Sequence, residues 1–166
     1  LENKEELLEG SVTAAVYEGS RPLMFEVQSL VSPANVGFAR RTSVGIDNTR
    51  LNMILAVLEK KAGLSLINQD VYVNVVGGLK PEGTGTDLAA ALAIFSSYKR
   101  VTSTKRTLAV GEIGLTGDLR SVQNIEKTAK EAARLGYEQI IMPLGNAKKI
   151  GSSVDGCRII GAKNIM

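Results

Sequence analysis

The sequence predicts an α/β domain with a mixed β-sheet and helices packed against it. Two observations carry that expectation. The chain opens with strand-like alternation of polar and apolar residues, and helical and strand patterns then alternate toward the C-terminus. Glycine and turn residues punctuate most of the transitions. A length of 166 residues, with 44% hydrophobic and 22% charged content, suits one domain around one sizeable core.

The elements follow in order. Residues 1–10 are expected to form a flexible entry segment, with the folded domain over 11–166. Val12 to Tyr17 and Leu23 to Val31 alternate as strands around the turn Glu18-Gly19-Ser20-Arg21-Pro22, which predicts a hairpin. Ser32 to Ala39 reads as a loop and Arg41 to Ile46 as a short strand. Asp47 or Asn48 can cap a helix that runs to about Ala62, with Leu51, Ile54, Leu55 and Leu58 on one face and Gly63 as its stop. Val71 to Val76 is a strand, Gly77 to Gly85 a glycine-rich loop, and Asp87 to Tyr98 an Ala- and Leu-rich helix capped by Thr84 or Thr86. Thr107 to Ile113 is a strand, Gly114 to Asp118 a turn, and Leu119 to Val122 a short return strand. A helix from about Asn124 to Leu135 stops at Gly136, Glu138 to Met142 is a strand, Leu144 to Ile150 a short helix, and Arg158 to Ile160 a last strand.

Composition excludes several chemistries. The chain has no histidine, which removes Ser-His-Asp and Cys-His catalysis and the commonest zinc ligand. The single cysteine, Cys157, cannot form an internal disulfide and suits a reducing, cytoplasmic setting, where it is expected to act as a small buried apolar residue. No apolar run reaches the roughly 18 residues that cross a bilayer, so no membrane partner is expected. The polar start Leu1-Glu2-Asn3-Lys4-Glu5-Glu6 is no signal peptide, and without an initiator Met the chain reads as a piece of a longer protein. A net charge of +3 is weak evidence for a nucleic-acid partner until its distribution is known. With four Tyr, three Phe and no Trp, a base-stacking platform is not expected.

Two runs could carry chemistry. Gly77-Gly78-Leu79-Lys80-Pro81-Glu82-Gly83-Thr84-Gly85-Thr86-Asp87 joins a strand to a helix, where backbone N–H groups can surround an anion. A Walker loop, however, needs its Gly-Lys-Ser/Thr at the end, and here Lys80 comes early and Asp87 would repel phosphate. A tight turn with Asp87 at the positive end of the helix dipole is the plainer reading. The second run, Gly111-Glu112-Ile113-Gly114-Leu115-Thr116-Gly117-Asp118-Leu119-Arg120, predicts a tight hairpin needing positive φ.

The succession of strand, Gly-Gly loop, small-residue helix, Gly-Glu-Ile-x-Leu-x-Gly and a third helix resembles the proteolytic domain of the Lon protease family, which has the fold of the second domain of ribosomal protein S5. The resemblance implies a serine at the start of the second helix and a lysine at the start of the third, the lysine amine taking the serine's proton. The serine position falls on Gly85 and the lysine position on Glu126, so neither member of the dyad is present and no catalytic residue is expected. Thr84 or Thr86 could offer a hydroxyl and Lys127 an amine. One step along a helix turns a side chain by about 100°, which aims Lys127 elsewhere.

A closer resemblance covers roughly residues 11–143. Arg21-Pro22-Leu23, Glu26 to Pro33, Arg40-Arg41-Thr42, Asn48 to Lys61, Asp70 to Lys80, Asp87-Leu88-Ala89 and Gly111 to Gly117 are similar to the C-terminal Lon-protease-like domain of the RadA family of bacterial DNA-repair proteins. That family is similar in lacking the dyad. The resemblance implies a non-catalytic scaffold for a ring, expected to be a hexamer, in a helicase that moves branched recombination intermediates. It also implies single-stranded or branched DNA and recombination proteins such as RecA as partners. The zinc finger and ATPase of the family, with their Zn, ATP and Mg, lie outside this chain, so no cofactor is expected here. Phosphate contacts would come from Arg40, Arg41, Arg50, Lys80 and Arg120, with Arg40 and Arg41 on opposite faces of a strand. Lys99, Arg100, Lys105 and Arg106 read as a generic polar connection. The competing readings are a threonine-lysine peptidase using Thr84 or Thr86, and a nucleotide module using the Gly77–Gly85 loop.

Overall fold

The computed structural model describes residues 8–35 and 37–165. Strand β1 (Ser11–Glu18) turns at Gly19 into β2 (Arg21–Pro33), and the hairpin pairs from Glu18↔Arg21 to Ser11↔Gln28. Strand β4 (Gln69–Val75) lies antiparallel on the other side of β2, and β3 (Arg41–Val44) lies parallel to β4. On the far side of β1 stand β5 (Thr107–Ala109), β8 (Gln139–Pro143) and β10 (Cys157–Ala162), all parallel, with β9 (Ser153–Val154) as an antiparallel edge. The eight strands run in the order β3-β4-β2-β1-β5-β8-β10-β9. A separate two-stranded ribbon is formed by β6 (Glu112–Ile113) and β7 (Leu119–Arg120).

The parallel neighbours need crossover helices, and four helices supply them. Helix α1 (Asn48–Ala62) joins β3 to β4. Its Asp47 cap accepts the Arg50 N–H at 3.3 Å, and Gly63 ends it at φ 76°. Helix α2 (Asp87–Lys99) buries Ala89, Ala90, Ala91 and Ala93, and side chains this small let its backbone lie close on β2 and β1. Helix α3 (Ile125–Arg134) and the short α4 (Leu144–Ile150) cover the β5-β8-β10 part of the sheet. Consecutive strand residues face opposite sides: Ala14 joins the core under α1 and α2, and Ala15 joins the core with Leu108, Ile140, Met142 and α3. The sheet therefore carries two cores, while the outer face of β3, β4 and β2 leaves Leu30 59% and Val44 54% exposed.

The mixed α/β expectation holds, with differences of local origin. The expected strand over 107–113 is interrupted, because Gly111 turns the chain at φ 154° and sends Glu112 and Ile113 into the separate ribbon. A Cβ at Gly111 would stand 3.1 Å from Pro143 Cγ. The strand expected to reach Ile46 stops at Val44, since Gly45 takes φ 91° and a Cβ there would lie 2.6 Å from Val75 Cβ. Strand β9 carries too few residues for a periodic signal. Of the expected entry segment 1–10, residues 1–7 lie outside the described residues, while Gly10 is buried and donates its N–H to Ser96 Oγ at 2.8 Å.

Two measurements check this packing. Leu58→Ala empties a fully buried site under α1 and should cost roughly 2–5 kcal/mol in urea unfolding. Cys157 is 1% exposed and burial pushes its thiol pKa up, so it should react with a disulfide reagent about tenfold or more slowly in the native protein than in denaturant. Equal rates in both would contradict its place in the core.

Candidate functional site

The two glycine-rich runs meet at the N-terminal end of α2. The Gly111 N–H donates to the Gly85 carbonyl at 2.9 Å, and the Gly111 carbonyl accepts the Leu88 N–H at 3.1 Å. Asp87, 3% exposed, accepts the Ile113 N–H at 3.0 Å and a bidentate set from Arg50, whose Nε lies 2.9 and 3.0 Å from the two carboxylate oxygens and whose Nη2 closes the pair. The same Nη2 donates to the Ile113 carbonyl at 2.9 Å, and Glu112 stands 3.9 Å away. Hydrogen bonding to Asp87 holds the Arg50 guanidinium above its ordinary pKa. One ion pair thus binds the starts of α1 and α2 to β6.

This arrangement changes the reading of Asp87. The dipole of α2 favours an acid at that position, but its principal partner is a cation 37 residues earlier. Local sequence rules cannot see that partner.

Position 85 faces Val122: a Cβ on Gly85 would come within 3.2 Å of Val122 Cγ1. Val122 is itself held by buried Asn146, whose Oδ1 accepts the Val122 N–H at 2.9 Å and whose Nδ2 donates to the Val122 carbonyl at 3.0 Å. Sequence reasoning missed Asn146, because a polar residue in a short helix reads as solvated. Glu126 is exposed on the first turn of α3. Lys127, one residue on, places its Nζ 5.8 Å from the centre of the Tyr17 ring on β1. Thr86 is buried and Thr84 half-buried, and among the described residues neither hydroxyl is hydrogen-bonded to a lysine.

The five cations expected at phosphate divide by environment. Arg50 is consumed by Asp87. Arg41 donates from Nη1 to the Gln69 carbonyl at 3.1 Å and from Nη2 to the Leu66 carbonyl at 2.9 Å, so its head closes the loop before β4. Arg40 is exposed, and its backbone is held at both polar groups: its N–H donates to Asp70 at 2.7 Å and its carbonyl accepts the Val71 N–H at 2.8 Å. Lys80 is exposed and has no ion pair among the described residues. Arg120, 59% exposed, donates from Nε to Asp118 at 3.1 Å. Hydrogen bonds from Thr116 and then Arg120 hold the Asp118 carboxyl below its usual range. Arg40, Lys80 and Arg120 are therefore the three presented to solvent.

Over residues 33–146 the chain matches the family model described as Subunit ChlI of Mg-chelatase. The chain belongs to that family. It is also homologous to DNA repair protein RadA. It is 44% identical to the Streptococcus pyogenes protein over 164 residues, which is 97% of this chain and 36% of that protein. It is 41% identical to the Bacillus subtilis protein over 94% of this chain and 34% of the relative, and 43% identical to the Listeria monocytogenes protein over 88% and 32%. The chain thus spans about a third of the length of the curated relatives it matches. The family match ends at α4 and takes in both glycine-rich runs and the Arg50–Asp87 pair.

The ion pair predicts a coupled mutational response. Arg50→Met leaves a carboxylate buried without its cation and should cost roughly 3–5 kcal/mol in urea unfolding. Replacing both partners, with Arg50→Met and Asp87→Leu together, should cost less than the sum of the single losses, the remainder reflecting the Ile113 N–H and carbonyl left without their partners. Additive single losses would show that the two side chains do not act as a pair.

Proposed function

We propose that this chain is a non-catalytic, Lon-protease-like scaffold domain of a RadA-type DNA-repair ATPase, which self-associates into a ring and binds DNA. The observation that carries the non-catalytic part is the content of the junction between the two glycine-rich runs. Position 85 is glycine packed against Val122, position 126 is glutamate, and the amine of the next residue, Lys127, lies over Tyr17. A Ser-Lys mechanism needs hydroxyl and amine within hydrogen-bond reach. Homology to RadA over nearly the whole chain supports the DNA-repair context.

The DNA surface in this reading is formed by Lys80 and Arg120, while Arg40 stands beside Asp70 at the other end of the β3–β4 pair and would make a separate contact. Self-association is supported by the uncovered outer face of β2, β3 and β4, where Leu30 and Val44 stand in solvent beside the edge strand β3. The family description names a magnesium-chelatase subunit. The described residues gather no group of three or more Asp, Glu or Cys that could hold a metal ion. No helix among the described residues is long and apolar enough to cross a membrane.

Binding to single-stranded DNA at several salt concentrations tests the surface. Lys80→Glu with Arg120→Glu should weaken binding and flatten the slope of log K against log salt by about one unit per lost phosphate contact. An unchanged slope removes these residues from the interface. Native mass in solution should show a discrete multimer near six chains. Cleavage of a fluorogenic peptide, abolished by Thr84→Val or Thr86→Val, would replace the scaffold reading with a peptidase.

A further inference from the structure

We propose that a cleft at the C-terminal end of α2 is a second, separate nucleic-acid contact that holds an unpaired nucleotide of single-stranded DNA. It rests on the DNA-binding reading for its ligand class but uses a different surface. The residues of α2 that line the cleft, Leu92, Phe95 and Ser96, stand about 8–14 Å along the helix from Asp87.

The cleft has a volume of roughly 680 Å³ and opens between the start of β1, the last turns of α2 and the loop into β5. That size lies within the range of ligand sites. Its wall combines three features. The first is charge: Lys105 lines it, Lys99 and Arg100 directly precede the lining loop, and all three are exposed without an ion pair among the described residues. The Arg106 guanidinium is held in the wall, 4.2 Å from the centre of the Tyr137 ring and donating from Nη1 to the Leu135 carbonyl at 2.6 Å. The carboxylate in the lining, Glu26, already accepts from Ser11 and from Gln28. The second feature is a flat apolar surface: Phe95 lines the cleft and is 36% exposed. An aromatic face accepts any base by stacking, independent of sequence.

The third feature is rigidity. Ser103 Oγ accepts the Lys105 N–H at 3.0 Å and donates to the Lys105 carbonyl at 2.9 Å. Thr107 Oγ1 donates to the same carbonyl at 2.9 Å and accepts from Gln139 Nε2 at 2.8 Å. The loop bearing Lys105 is therefore fixed before any ligand arrives, which lowers the ordering cost of binding. Exposed Lys105 beside one exposed ring, with Lys99 and Arg100 next to the lining loop and hydroxyls around it, fits a phosphodiester with its base. Sequence spacing alone gave a polar connection for residues 99–106, because it could not bring Phe95, Tyr137 and the loop together.

The test uses the whole chain and a fluorescent oligothymidylate, read by anisotropy, with a 5-iodouracil version for photocrosslinking. Phe95→Ala should weaken binding roughly tenfold with little change of salt slope, the signature of lost stacking. Lys105→Glu, at an exposed site that leaves the core untouched, should weaken binding and flatten the slope by about one unit. The crosslink should fall in a peptide containing Phe95 or Tyr137. If Phe95→Ala proves unfolded by circular dichroism, Lys105→Glu and the crosslink decide. Wild-type affinity in both variants, with Lys80→Glu and Arg120→Glu still weakened, overturns this proposal and leaves the first surface standing. The reverse pattern supports this cleft and removes the first surface. Displacement of the oligonucleotide by polyglutamate from the wild type, with Phe95→Ala unaffected, would overturn it in favour of an acidic peptide.

Discussion

The ion pair between Arg50 and Asp87 is the constraint on which the rest of the site depends. Asp87 opens α2, Arg50 belongs to the first turn of α1, and Ile113 bonds both members through its backbone. A buried pair of this kind is a poor source of net stability, since desolvation offsets most of the attraction. Its effect is on geometry. An unpaired Asp87 at this depth is strongly unfavourable, so any arrangement of α1, α2 and β6 that separates the two charges is excluded. With those elements fixed, Gly85 and Gly111 come within a backbone hydrogen bond of each other.

That close approach explains which glycines matter here. At Gly111 a side chain would press on Pro143 at the end of β8, and φ of 154° suits glycine. At Gly114 a Cβ would fall 2.4 Å from Asp118 Oδ1, the carboxylate that pairs with Arg120. The ribbon turn is therefore tight because a polar side chain folds back over it. The exposed arginine is held beside that turn as a result.

Much of the fold was legible in the sequence, and the reasons are local. The β1–β2 hairpin follows from period-two alternation around Gly19, and α1 from its cap, its apolar stripe and Gly63. The site was less legible. Arg41 and Arg50 look like surface cations in one dimension, yet one caps loop carbonyls 25 and 28 residues away and the other meets a carboxylate 37 residues away. Asn146 likewise reads as a solvated polar residue until the Val122 backbone is placed against it. Side-chain partners at such separations are set by the packing of elements, which no window of sequence contains.

Packing at position 85 bears on the proposed loss of chemistry. Val122 occupies the space a side chain there would enter, and two hydrogen bonds from Asn146 hold the Val122 backbone in place. A hydroxymethyl group at 85 would force Val122 back by a few tenths of an ångström against a buried amide. A serine at 85 would therefore carry a tight Cβ contact, while the Lys127 amine lies over Tyr17. In the proposed reading both positions have lost their groups: position 85 is a glycine against Val122, position 126 is a glutamate, and the neighbouring Lys127 lies over Tyr17. In that reading a hydroxyl–amine dyad would need changes at 85, 122 and 126 together, and such coupled changes are not additive.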